Sequence, residues 1–355
     1  VVLSFAGTAI DGGADAAGDD DDELNVAADA GALAVSLTGS TADTGFTGTE
    51  ATVFTGAGGQ FAGIDTVTGS GDETLTGTTA TSTWTGTSYD DGTETLAFSG
   101  VATAIGNAAA DTLVGGSGVD TFTVDGAGSV TLGGQDFDGM DTLSGQGNDD
   151  VFNLGSDFDG NVNGDAGDDE FNLTANQSGL VDGGADADIF NLTAGVSVGG
   201  LSGGSTGNDN DTLALLDDIP ATHTNDRVID SVDGGTVEGQ AFTEMENLTG
   251  NEDNDVFTFT AALTGTASGG AEDDTFAIND GGSAGTIDGG TQDSLAGDEV
   301  TYAGATGPVT ATINGFTNIE TLTGSGNAGD TLQGTGGADA FTVDGANSGT
   351  AGGIN

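Results

Sequence analysis

Single apolar residues alternate with polar ones along most of the chain, and clusters of Gly, Asp and Asn interrupt the alternation. Alternation of period 2 between such clusters predicts short strands, and apolar residues at helical spacing are missing. In Phe152-Asn153-Leu154 the Phe and Leu share one face and the Asn takes the other. The position before the triplet is Val151, Glu170 and Ile189 in successive copies, and a Glu there assigns that side to solvent. Phe and Leu therefore point inward.

The triplet returns as Phe171-Asn172-Leu173 and Phe190-Asn191-Leu192, at 171 − 152 = 19 and 190 − 171 = 19 residues. Asp150, Asp169 and Asp188 keep the same step, as do Asp255 and Phe257 with Asp274 and Phe276. A step of 9 is nested inside it, from Asp111 to Asp120, Asp141 to Asp150 and Asp330 to Asp339, so two half-turns make one coil. A strand that cannot bury its apolar face alone does so by stacking on the next coil about 4.8 Å away, which lines identical residues into ladders. The expected fold is all-β: a parallel β-solenoid, of β-roll or β-helix type, with about 19 residues per coil and an elongated rod shape.

A longer motif, Phe-x-x-(Ile/Met)-(Asp/Glu)-x-(Leu/Val)-(Thr/Ser)-Gly, occurs at Phe61 to Gly69, Phe137 to Gly145, Phe242 to Gly250 and Phe316 to Gly324. These read as module starts. They divide the chain into N-terminal coils (1–60), modules at 61–136, 137–241 and 242–315, and a partial C-terminal module (316–355). Within 137–241, the stretch Ala214 to Val232 departs from the pattern and holds Pro220, His223 and Arg227, so it is expected to be an inserted loop.

Charge narrows the function. The 355 residues include 58 Asp plus Glu and one Lys or Arg, a formal charge of 1 − 58 = −57. Nucleic acid and anionic membranes are excluded as partners, because phosphate recognition needs clustered cations. No apolar run approaches the roughly 18 residues of a membrane helix, so no membrane span is expected. Cys and Lys are absent and His223 is the sole imidazole, which removes thiol nucleophiles, Schiff bases and disulfide staples. Asp43-Thr44-Gly45 matches an aspartic-protease triplet but has no second copy to share a proton, and His223 has no nucleophile or metal partner; no enzyme activity is expected. The N-x-S/T triplets at Asn172, Asn191 and Asn247 fall out of the repeat, and a fourth lies at Asn176. Trp84, Tyr89 and Tyr302 are expected to pack at module edges.

With 35% hydrophobic residues and this charge, composition alone would leave the chain disordered, so repetition, bound cations or both must order it. Gly115-Gly116-Ser117-Gly118-Val119-Asp120-Thr121-Phe122-Thr123 matches the nonapeptide G-G-x-G-x-D-x-U-x in full, U being a large apolar residue. Gly183 to Phe190 has Asp, and Gly269 to Phe276 has Glu, in place of the fourth-position Gly, while Gly164 to Phe171 and Gly334 to Phe341 lack the second Gly. Here the chain resembles the RTX (repeats-in-toxin) calcium-binding family, which implies a β-roll binding Ca²⁺ between coils through turn carbonyls and Asp carboxylates. It departs from that family in its coil length and in turns such as Leu173 to Gly179, so ions are expected along one edge. The module starts are also similar to those of very long bacterial surface proteins of adhesin or matrix type.

Cations are expected on physical grounds as well. Stacking sets Asp150, Asp169 and Asp188 roughly 5 Å apart, and each neighbouring pair repels by about 3 kcal/mol at an effective dielectric near 20. Asp149 and Asp168 add to this. A domain has about 5 to 15 kcal/mol of stability in all. Hard oxygens without His or Cys select Ca²⁺, bound at about 10⁻⁴ to 10⁻³ M in extracellular modules. The expected ligands are Asp111, Asp120, Asp141, Asp149, Asp150, Asp168, Asp169, Asp186, Asp188, Asp253, Asp255, Asp273, Asp274, Asp330 and Asp339.

The chain is thus expected to be a secreted, calcium-stabilised structural or adhesive component of an extracellular fibre, biofilm matrix or cell-surface layer. Its expected partners are copies of itself stacked head to tail through uncapped ends, together with surface or matrix polysaccharide. Val1 opens without Met or a basic segment, as for a chain whose leader is gone or a segment of something longer. Two alternatives stand: a calcium roll accessory to a secreted protease, lipase or epimerase, and a halophile surface-layer protein whose acidity answers salt.

Overall fold

The computed structural model describes residues 10–11, 22–27, 32–42, 44–50, 60–107, 110–126, 128–206, 210–216, 226–291, 297–334, 340–345 and 348–352. The described elements are all strands, in agreement with the all-β expectation. They group into two compact units, residues 1–166 with 175–179, and residues 167–174 with 180–355.

In the first unit, parallel partners sit side by side in register. Thr142–Ser144 pairs with Asn161–Ala166 through Thr142 and Asn161, at 161 − 142 = 19 residues. Thr121–Gly126 pairs with Val151–Leu154 at 151 − 121 = 30, and the long strand Thr66–Thr76 with Thr95–Ile105 at 97 − 66 = 31. The longer intervals have a definite cause. Thr121–Gly126, Ser129–Leu132 and Gln135–Asp138 form an antiparallel meander, with Phe122 opposite Leu132 and Val130 opposite Phe137. Ala34–Thr41, Gly45–Glu50 and Gln60–Ile64 form another, and Ser82–Trp84, Ser88–Asp90 and the start of Thr95–Ile105 a third.

The second unit repeats this plan. Glu170–Leu173 lies parallel to Ile189–Thr193 at 19 residues, and Val256–Phe259 to Thr275–Ile278 at 19. Ile189 then pairs with Thr212 at 23, and Thr275 with Glu299 at 24. Asp226–Ser231, Gly234–Val237 and Gln240–Thr243 make a meander. The parallel-only reading is therefore corrected to mixed pairing, because alternation specifies which face a side chain takes but not the direction of its neighbour. The inserted loop is corrected at both ends as well: Thr212–Leu216 and Asp226–Ser231 are strands. Pro220 and His223 lie outside the described residues.

The module-start motif acquires a structural meaning. Phe61, Phe137 and Phe242 lie on the third strand of a meander, and Ile64, Met140, Met245 and Ile319 of the motif are buried.

The cores are built from like residues in register. Phe122 stacks on Phe152 at 4.7 Å between ring centroids, Phe171 on Phe190 at 4.7 Å and Phe257 on Phe276 at 4.9 Å, all nearly parallel. Burying each such ring stabilises by about 2 to 3 kcal/mol. Glu170 and Asn172 face outward while Phe171 and Leu173 are fully buried, as the triplet requires. Trp84 and Tyr89 are buried together, rings 4.4 Å apart, with Phe46, Phe98 and Phe137 around them. No helix is long and apolar enough to cross a membrane.

Candidate functional site: the acidic turns

Several glycine-rich turns end in an Asp immediately before a strand, and most of these Asp side chains turn inward. Asp150, Asp169, Asp188, Asp255 and Asp274 are at most 1% exposed. Their carboxylates bridge neighbouring turns. The backbone N–H of Asp120 donates to Oδ1 of Asp150 at 2.7 Å, that of Asp169 to Asp188 at 2.8 Å, and that of Asp188 to Asp211 at 2.8 Å. In the second ladder of unit 2, Asp255 donates to Asp274 at 2.8 Å and Asp274 to Asp298 at 2.7 Å. Asp211 and Asp298 join the ladder unforeseen; the signal was present in Asp211-Thr212-Leu213, the tripeptide also found at Asp111 and Asp141.

The acid of the module-start motif has the same role in all four modules. Asp65, Asp141, Glu246 and Glu320 accept the N–H of Asp22, Asp111, Asp211 and Asp298 respectively, at 2.7 to 3.2 Å. A second set of bonds runs the opposite way from the residue one place earlier. Asp168 accepts the N–H of Ala187 at 3.0 Å, and Asp273 that of Gly297 at 2.9 Å. The Asp273-Asp274 doublet thus bonds to the turns on both sides of it. Such hydrogen bonds contribute about 0.5 to 1.5 kcal/mol each, and more where the acceptor is ionised.

The glycines are explained by the same geometry. A Cβ on Gly183 would stand 2.1 Å from Oδ2 of Asp188 and 2.6 Å from the Gly203 carbonyl oxygen, and on Gly269 1.9 Å from Oδ2 of Asp274. The first Gly of the nonapeptide is required for close approach. At the second position Gly184 and Gly270 have φ of +109° and +111°, and Gln146 and Asp165 hold +78° and +75°, whereas Gly116 of the complete nonapeptide is not at positive φ. At the fourth position Asn148, Asp186 and Glu272 hold +81°, +77° and +70°, so these degenerate copies adopt the left-handed conformation without a Gly.

Burial raises the pKa of Asp150, Asp188, Asp255 and Asp274. Removal from water pushes Asp188 up to about 8 against the opposing pull of its backbone hydrogen bond, with Asp169, Asp168 and Asp182 adding repulsion. Asp274 is likewise raised to about 8, chiefly by burial, and Asp150 to about 6. Oδ2 of Asp188 and of Asp274 is buried and accepts no hydrogen bond. Glu73 behaves in the opposite way. Burial pushes it up, but bonds from the N–H groups of Ser70, Gly71 and Asp72 and the Ser70 hydroxyl outweigh that and hold it below the usual carboxylate range.

The expected ligands therefore fall into separate groups. Asp111, Asp150, Asp169, Asp188, Asp255 and Asp274 are buried in the ladders. Asp120 and Asp186 are half-buried in the turns, as is Asp273, whereas Asp141, Asp149, Asp168, Asp253 and Asp330 are exposed. Asp339 lies outside the described residues, as does Asp43 of the protease-like triplet. Among the described residues no three His, Cys, Asp or Glu side chains converge as a metal-holding group. In Asp150, Asp188 and Asp274 one carboxylate oxygen accepts an N–H from a neighbouring turn and the other lies close to a glycine, so these oxygens are already engaged in packing. The outward oxygens of Asp149, Asp168, Asp186, Asp253 and Asp273 have the hard character Ca²⁺ needs.

Arg227 was expected in a loop, and it is instead buried in a strand. Its Nη1 donates to Oδ1 of Asp255 at 2.8 Å, and its guanidinium lies 4.8 Å from the Phe257 ring centroid. Compared with family models, curated proteins and solved structures, the chain has no match.

Proposed function

We propose that the chain is a structural repeat protein of the extracellular surface: a β-solenoid of the RTX-like kind, with a basic coil of about 19 residues, elongated and non-enzymatic. The observation that carries this reading is the ladder in which Asp150, Asp188, Asp211, Asp274 and Asp298 each accept the N–H of the counterpart Asp one coil earlier. Such residues spend their polar groups on holding coils together, so the acidic turns serve architecture and present no nucleophile or acid–base pair to a substrate.

Calcium belongs to the outer edge of the same turns. Asp149, Asp168, Asp186, Asp253 and Asp273, with neighbouring turn carbonyls, would hold it, and it would supply positive charge between coils whose only Lys or Arg is Arg227. The inward ladder meanwhile binds coil to coil through the chain's own amides. Export as an unfolded polyanion followed by ordering in millimolar calcium agrees with the composition. Head-to-tail contact between copies, pairing strand edge to strand edge, would extend the solenoid into a fibre.

Circular dichroism at fixed ionic strength, with and without calcium, tests the reading. Strand content that rises with calcium and falls on chelation is the expected result. A fold indifferent to EGTA at constant salt would remove calcium and favour the halophile alternative. Analytical ultracentrifugation in calcium tests fibre growth, and monomers at every concentration would remove it.

A further inference from the structure

Patterning leaves one ambiguity at the Asp226–Ser231 strand. A slip of one residue against Val256–Phe259 would turn Ile229 outward, but a slip of two keeps Ile229 on the buried face beside Phe257. In the observed register Asp226 lies beside Val256, Arg227 beside Phe257 and Ile229 beside Phe259. Ile229, Phe257 and Phe259 are interchangeable apolar groups in this respect. Arg227 is not.

We infer that Arg227 is the register lock of this junction: its guanidinium engages Asp255 and Phe257 together only when Arg227 stands opposite Phe257. The fork donates from Nη1 to Oδ1 of Asp255 at 2.8 Å while the Asn251 N–H donates to Oδ2 at 2.8 Å, so the carboxylate is held from both sides. The guanidinium face rests on Phe257 at 4.8 Å, a cation–π contact in a site where Arg227 and Asp255 are 1% and 0% exposed. A two-residue slip moves the Arg227 backbone by about 7 Å along the strand and takes its side chain off the Phe257 ring. A buried polar contact satisfied in one arrangement discriminates against the alternatives, which is the best-attested use of buried ion pairs.

The lock replaces what identity provides elsewhere. At Asp150, Asp188 and Asp274 Oδ1 accepts a backbone N–H from the preceding coil; at Asp255 it accepts the guanidinium. Arg227 also takes the place at the head of the Phe257–Phe276 stack.

The chain's lack of cysteine makes the register directly readable. Val228 and Thr258 are register partners on the outward face, so Val228→Cys with Thr258→Cys reports the native register, and Val228→Cys with Val256→Cys a slip of two. With Arg227 present, oxidation of the folded protein should close the first pair almost exclusively. In an Arg227→Met background the second pair should close to a comparable extent, with circular dichroism still showing strands. Asp255→Asn, which keeps an acceptor for the Asn251 N–H, is the second background should Arg227→Met fail to fold. Closure confined to the native pair in either folded background would overturn the lock.

Discussion

The strands Thr121–Gly126 and Asp226–Ser231 occupy equivalent places in the two units. Each opens a meander, and each pairs in parallel with a strand entered through Asp-Val-Phe, Asp150 to Phe152 in one case and Asp255 to Phe257 in the other. The first junction is built of like on like: Phe122 lies on Phe152, and the Asp120 N–H reaches Asp150. In the second, one guanidinium meets both the ring and the carboxylate. Asp150 is raised to about 6, chiefly by burial. Asp255 is also raised, because burial outweighs the attraction of Arg227. A cation at this depth thus offsets part of the desolvation and no more, so its value lies in selecting an arrangement rather than in added stability.

The comparison can be broken most severely at its glycines. A Cβ on Gly250 would meet the Gly269 carbonyl oxygen at 1.8 Å and Asp255 Oδ2 at 2.0 Å, whereas on Gly145 the nearest atoms are 2.5 and 2.6 Å away. Gly250→Ala should cost about 4 kcal/mol or more and Gly145→Ala roughly 2 to 3, as read by denaturant unfolding. Arg227→Met comes next, at about 3 kcal/mol, because it leaves Asp255 buried without its cation. Amide hydrogen exchange in unit 2 measures it, and the fluorescence of Trp84, which lies in unit 1, should be unmoved.

Acidity gives a smaller contrast with a defined sign. Groups raised in the folded state bind protons more tightly there, so stability is greatest below the ordinary Asp value near 4 and falls as pH rises to the folded value. Asp188 and Asp274 are raised to about 8 in unit 2, and Asp150 to about 6 in unit 1. Unit 2 should therefore keep losing stability up to about pH 8, whereas the Asp150 contribution levels off near pH 6. Asp188→Asn should flatten the slope of unit 2, and an unchanged slope would assign it to other groups. Glu73 supplies the smallest effect and the opposite sign. Its value is lowered, so its contribution is present above the ordinary Glu value and lost as pH falls through the folded one. Glu73→Gln should cost about 1 kcal/mol at neutral pH, seen in the Trp84 signal.

The repeated triplet made the core legible. Phe171 faces Phe190 and Asn172 faces Asn191, as the 19-residue step required, because identical side chains at a fixed interval have one economical way to stack. The meanders were not legible. Ser129–Leu132 alternates like any other strand, and only the paired Gly133 and Gly134, both at positive φ, hint that the chain reverses there. The orientation of the Asp residues was hidden for a different reason. An Asp beside a glycine-rich turn suits an outward ligand and an inward amide acceptor equally, and the choice rests on whether the glycine five places earlier leaves room for a carboxylate. Arg227 was misplaced because a lone cation amid Pro220 and His223 carried no strand pattern of its own.

The coil-to-coil amide bonds also bear on how such a gene can change. Removal of residues 256–274 would join Asp255 to Thr275, placing an Asp before Thr275-Phe276 as Asp274 stands now. In-frame losses or gains of 19 codons should therefore be tolerated at this point, because every surviving rung keeps a donor above and an acceptor below.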